Sequence, residues 1–99
     1  MAKEKQFENK IKKFLDTLPN IWYFKHWAGM YSKKGVPDIL CCINGRFVGL
    51  EVKAEDGKPS PLQVRCVRLI NEAGGYARVV YPKDWETVKN DILEIHGDI

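Results

Sequence analysis

The chain has 99 residues, 44% of them hydrophobic, and 16 Lys and Arg against 13 Asp and Glu give it a net charge of +3. That length suits one domain with a single core, and no apolar run approaches the ~20 residues of a membrane span. The opening residues, MAKEKQFENK, are charged and lack the apolar stretch of a secretory leader, so a cytoplasmic protein without a membrane partner is expected.

Residues 4–18 have helical periodicity, with Phe7, Ile11, Phe14, Leu15 and Leu18 on one stripe and Lys5, Lys10, Lys12 and Lys13 mostly off it. Pro19 stops this helix. IWYFKHW, residues 21–27, is aromatic-rich and reads as a strand. AGMYSKKG is a polar loop. VPDILCCI and RFVGLEV then flank Asn44-Gly45, the strongest short-range signal for a β-hairpin, because a type I′ turn needs positive φ at both positions. Residues 61–73 read as a second helix. Ser60 is its N-cap, Pro61 its first residue and Gln63 the third residue of a capping box, and Leu62, Cys66, Leu69 and Ile70 form its stripe. Gly74 and Gly75 end it, and YARVVY is a fourth strand. Asp84 is the expected cap of a last helix carrying Trp85, Val88, Ile92 and Ile95. The order is αβββαβα. A helix between two strands implies a crossover and a partly parallel sheet, and apolar residues on both sides of the hairpin imply helices on both faces.

Charge is unevenly spread along these elements. Residues 1–34 hold eight Lys and three acids, a balance of +5, whereas residues 35–99 hold eight Lys or Arg and ten acids, a balance of −2. A basic first third fits either a polyanionic partner or a solvated helix face. Cys41 and Cys42 are adjacent, Cys66 stands alone, and no Cys/His spacing suggests zinc; all three read as small core residues. His26 reads as structural. Trp22, Trp27 and Trp85 read as core or interface anchors.

The hairpin places charge where its neighbours are apolar. A two-residue turn at Asn44-Gly45 fixes a register in which paired numbers sum to 89, so Asp38 falls opposite Glu51. Their side chains share one face, with Cβ atoms ~4.5–5.5 Å apart, and Lys53 lies two residues along on the same face. Two carboxylates side by side repel. A divalent cation removes the conflict, and hard oxygen ligands suit Mg²⁺ or Mn²⁺ rather than zinc. A strand end fraying into solvent, with Lys53 paired to either acid, is the alternative.

GVPD, twelve residues, and then EVK resembles the motif of the PD-(D/E)xK nuclease superfamily. The αβββαβ order matches that superfamily's restriction-endonuclease-like core. Within the superfamily, nearly the whole chain is similar to the virus-type replication-repair nucleases, the VRR-Nuc group, in their stand-alone, phage-like form. The resemblance implies an α/β fold, with a mixed four-stranded sheet flanked by helices and a further C-terminal helix, as one domain over residues 1–99. It implies an Mg²⁺-dependent endodeoxyribonuclease, with Mn²⁺ as substitute and no organic cofactor. Asp38 and Glu51 would bind the metal with the main-chain carbonyl of Val52, and Lys53 would assist the attacking water. The family places a catalytic acid on the first helix, for which Glu8, as a further metal ligand, is the candidate and Glu4 the competitor, and a catalytic Gln on the second, which Gln63 fits. Tyr31, Ser32, Lys33 and Lys34 would be the loop contacts to DNA phosphates, with Lys10, Lys12 and Lys13 extending the basic surface. The implied substrate is branched or Holliday-junction DNA in the host cytoplasm of a phage. Cutting two strands symmetrically needs two sites, hence a C2 homodimer. A non-catalytic nucleic-acid-binding module, or one that binds a replication protein, is the competing reading; neither needs Asp38, Glu51 and Lys53 together.

Overall fold

The structure is a computed structural model and describes residues 2–27 and 33–97. Its elements are α1 (Ala2–Asp16), β1 (Ile21–Lys25), β2 (Ile39–Ile43), β3 (Arg46–Val52), α2 (Pro61–Glu72), β4 (Tyr76–Val80), a 3₁₀ turn (Pro82–Asp84) and α3 (Trp85–His96). The strands form one sheet in the order β1-β2-β3-β4, antiparallel except for the parallel β3–β4 pair that α2 connects. This is the expected α/β architecture, a mixed four-stranded sheet flanked by helices with a C-terminal helix. Among the described residues no helix is long and apolar enough to cross a membrane.

The hairpin follows its turn. Asn44 and Gly45 have φ of 51° and 77°, and β2 pairs with β3 from Ile43↔Arg46 to Ile39↔Leu50, every pair summing to 89. The odd residues of β2 and the even residues of β3 therefore share one face. Ile39, Cys41, Ile43, Val48, Leu50 and Val52 are buried there beneath Phe7, Ile11 and Leu15 of α1 and Trp85, Val88 and Ile92 of α3. Phe7 and Phe14 meet the Trp85 ring edge-on, with centroids 6.2 and 5.4 Å away. Each fully buried aliphatic side chain contributes roughly 1.5–3 kcal/mol. This face is the core.

The opposite face differs from expectation. α2 packs mainly over β4 and β3. None of its residues is fully buried, and Leu62 and Leu69 of the expected stripe are exposed. Trp22 (65% exposed) and Phe24 of β1 and Phe47 of β3 lie uncovered on that face, beside an exposed Cys42 of β2. One helix is too narrow to cover four strands. Of the three expected core cysteines only Cys41 is buried, and burial, helped by Cys42, pushes its thiol up to about 12. The start of α3 also departs from expectation. Asp84 makes no side-chain cap bond to it; Asp84 belongs to the preceding 3₁₀ turn, and its carboxylate accepts from the Tyr81 N–H at 3.4 Å.

α2 starts as its sequence specifies. Ser60 Oγ accepts the Gln63 N–H at 3.2 Å, and Gln63 Oε1 accepts the Ser60 N–H at 2.8 Å. Gly49 shapes the end of the hairpin that carries Asp38. A Cβ there would lie 3.1 Å from Pro37 Cγ and 3.4 Å from Ile70 Cδ1, so its missing side chain lets the segment before β2 lie flat on β3.

Candidate functional site

The C-terminal end of β1, the N-terminal end of β2 and the C-terminal end of β3 meet at one end of the sheet. There α1 approaches from one face and the N-terminus of α2 from the other. Asp38 stands just before β2, one step past the last pair, opposite Glu51 by number. Its backbone carbonyl accepts the His26 N–H at 2.7 Å, and its side-chain Oδ2 accepts the Val52 N–H at 2.8 Å. Backbone on both neighbouring strands thus fixes Asp38. Lys53 N–H bonds to Val80 O on β4, so the N–H and C=O of Val52, one residue earlier in an extended strand, point the other way, toward β2 and Asp38.

Glu51 is 2% exposed. Its Oε2 accepts from Gln63 Nε2 at 3.0 Å and lies 3.5 Å from Lys53 Nζ. Its Oε1 is buried without a hydrogen-bond partner. Burial, and then the Asp38 carboxylate, push the Glu51 pKa up to about 8, against the opposing pull of Lys53. An orphaned buried oxygen beside a second carboxylate fits a site that receives a cation.

Glu8, on α1, is buried as well. Lys25 Nζ donates to its Oε1 at 2.7 Å, while Lys5 and Lys12 Nζ each stand 3.4 Å from its Oε2. Burial alone would raise its pKa; these lysines, Lys25 foremost, more than offset that and hold it below the usual carboxylate value. Lys25 also reaches Asp38 Oδ1, at 3.4 Å, and its ammonium lies 5.2 Å from the centroid of the Trp27 ring. A chain of polar contacts therefore runs from Glu8 through Lys25, Asp38 and the Val52 backbone to the Glu51–Lys53–Gln63 cluster.

Asp38, Glu51, Lys53 and Gln63 come together as the register and the capping box imply, and Val52 directs its carbonyl to the same side. Glu8 rather than Glu4 turns inward. Among the described residues, no group of three or more His, Cys, Asp or Glu side chains is assembled to hold a metal ion by itself. The donors that fit one are the orphaned Glu51 oxygen, Asp38 and the Val52 carbonyl. Lys10 and Lys13 are exposed on α1 with no contact to this cluster. Lys12 points to Glu8 instead of extending the basic surface. Lys33 and Lys34 are exposed and line a cleft with Leu62 and Arg65 of α2. Tyr31 and Ser32 lie outside the described residues. Lys25 is the site residue that sequence reasoning missed. Its signal was present, because alternation along IWYFK places it on the inward face with Ile21 and Tyr23. The chain matches no protein-family model, and no curated protein is similar enough to count as a relative.

Proposed function

We propose that the protein is a divalent-metal-dependent endonuclease acting on DNA. The observation that carries this reading is the pairing of Asp38 with a buried Glu51 whose Oε1 has no partner, with Lys53 adjacent. Such a cluster is costly to keep for stability alone. Asp38, Glu51 and the Val52 carbonyl are the ligands for Mg²⁺ or Mn²⁺. The chemistry a bound Mg²⁺ supplies is polarisation of a phosphoryl oxygen and neutralisation of charge. Lys53 orients the attacking water and donates toward the charge developing on phosphate. Gln63 holds Glu51 in place through Oε2 and leaves Oε1 to the ion. The uneven charge of the chain suits a polyanionic substrate, and the resemblance to virus-type replication-repair nucleases points to branched DNA, a homodimer and action in the cytoplasm.

The test is incubation of the protein with a labelled four-way junction and with plain duplex, in Mg²⁺ or in EDTA, alongside Asp38→Ala, Glu51→Ala and Lys53→Ala. Cleavage in Mg²⁺ that each substitution abolishes is expected. Cleavage that ignores EDTA or survives all three substitutions refutes the reading. Light scattering with and without DNA tests the homodimer, which a monomer at every concentration overturns.

One observation favours the second reading, a non-catalytic nucleic-acid-binding module. Lys25, Lys53 and Gln63 already partner the acids, so much of their charge is offset without an ion. That reading expects tight DNA binding unaffected by EDTA and no product at any divalent-ion concentration.

A further inference from the structure

Lys25 is not a strand-end lysine waving in solvent. Its side chain is 17% exposed, with the ammonium 2.7 Å from Glu8 Oε1, 3.4 Å from Asp38 Oδ1 and 5.2 Å from the Trp27 ring centroid. Fixing a long lysine this way sacrifices rotamer freedom and hydration, which is warranted where it offsets a larger cost. Here that cost is three carboxylates gathered at one end of a small sheet.

Both Asp38 oxygens already have a partner. Oδ2 takes the Val52 N–H and Oδ1 takes Lys25. Each oxygen keeps a second lone pair, but an ion on Oδ1 would sit beside the Lys25 ammonium and repel it, so ion binding works against that contact. The backbone bond is the shorter, at 2.8 Å, and is fixed by the strand; the Lys25 contact is the longer, at 3.4 Å. Lys25 keeps a second and closer anchor in Glu8, so it can release Asp38 without becoming an unpaired buried charge. Glu8, with three ammonium groups around it, is already neutralised and is the least available of the acids for an ion.

Resting on the metal-dependent function assigned to this site, we propose that Lys25 is its resident counter-cation. Lys25 bridges Glu8 and Asp38 in the ion-free protein, and a divalent ion binds by taking Asp38 from it. Lys25 is a positioning residue. It keeps the acids folded together before the ion arrives and weakens the ion's hold afterwards, and Glu8 acts through it rather than as a ligand.

The experiment is calorimetric titration of MnCl₂ into wild type, Lys25→Met, Lys25→Arg and Glu51→Gln, with thermal unfolding of each in EDTA and in Mn²⁺. Removing one positive charge at this range is expected to tighten Mn²⁺ binding in Lys25→Met by roughly tenfold, while Lys25→Arg, which keeps the charge, stays within about threefold of wild type. In EDTA Lys25→Met melts below wild type, and Mn²⁺ raises its melting temperature by more. Should the apolar variant fail to fold, Lys25→Gln gives the same comparison. Equal or weaker Mn²⁺ binding without the lysine overturns the proposal and leaves Lys25 a structural residue. Wild type that binds no Mn²⁺, or Glu51→Gln that binds it equally well, overturns the metal site itself and the proposal with it. Wild-type binding that is lost in Glu51→Gln yet unchanged in Lys25→Met sinks the proposal alone.

Discussion

Gln63 uses both ends of one amide. Its Oε1 accepts the Ser60 N–H at 2.8 Å to close the capping box of α2, and its Nε2 donates to Glu51 Oε2 at 3.0 Å. The first bond fixes which way the amide faces and so guarantees that a donor is aimed at Glu51. The two roles that the sequence offers for this residue are one geometry.

Gln63→Glu separates them. It keeps an oxygen for Ser60 but turns the donor facing Glu51 into an acceptor. Leaving the buried carboxylate oxygen short of a donor is expected to cost about 1–3 kcal/mol, visible as a lower midpoint in urea, and to cut cleavage at least tenfold. Gln63→Ala loses the cap as well, worth about 1 kcal/mol. Gln63→Glu that is as stable and active as wild type would show that the Glu51 contact is idle.

Ion-free stability should fall as pH rises across the neutral range. Glu51 has a folded pKa raised from 4.5 to about 8, so between those values the folded state binds more protons than the unfolded one. Unfolding then becomes easier with rising pH, by an amount on the order of 2–4 kcal/mol over the window, and the penalty is complete above pH 8. Glu8 has the opposite sign. Its pKa is lowered, so its contribution is present above pH 4.5 and is lost as pH falls through its folded value. Urea titrations in EDTA from pH 5 to 9 measure the Glu51 slope. Glu51→Gln should flatten that slope and stabilise the ion-free protein at pH 8 while abolishing Mn²⁺ binding. A wild-type slope that persists in Glu51→Gln assigns the titration to another group.

Lys53 lies 3.5 Å from Glu51 and, in the proposed chemistry, acts on water and phosphate instead of on the ion. Lys53→Met should therefore lower single-turnover cleavage by roughly 10²–10⁴-fold and leave Mn²⁺ affinity unchanged or tighter. Parallel loss of affinity would recast Lys53 as part of the ion's support.

Two glycines of one hairpin should respond differently. Gly45 sits at φ 77° with open space around it, so Gly45→Ala meets only backbone strain, about 1 kcal/mol, and leaves ion binding intact. Gly49→Val would press on Pro37, the residue before Asp38. Overpacking of this kind typically costs about 1–3 kcal/mol, and the displaced Asp38 should also weaken Mn²⁺ binding. Thermal melts and calorimetry on the two variants distinguish a turn defect from a site defect.

The legible parts of this molecule are those governed by short-range rules. Asn44-Gly45 sets a register that carries to Asp38 and Glu51, and Ser60 with Gln63 marks where α2 begins. What sequence alone did not disclose depended on breadth and reach. The stripe of Leu62, Cys66, Leu69 and Ile70 is apolar enough for a covering helix, but the area it covers depends on where the crossover places it, and that leaves Trp22 and Phe47 uncovered. Lys25 escaped notice because a lysine closing an aromatic strand reads as a boundary. Only the approach of Glu8 from a different element makes it part of the site. Asp84 has an ordinary cap composition, yet the Pro82 turn claims its side chain first.

Every residue of the polar cluster, from Glu8 to Gln63, is encoded before the final third of the chain. Yet α1, which carries Glu8, packs through Phe7 and Phe14 on Trp85 at the start of α3. A nascent chain would thus have synthesised the complete set of charged groups well before it could seat them. Assembly of the cluster must wait for the last helix, and a ribosome-stalled fragment ending near residue 80 should carry all of these groups without the arrangement that makes them a site.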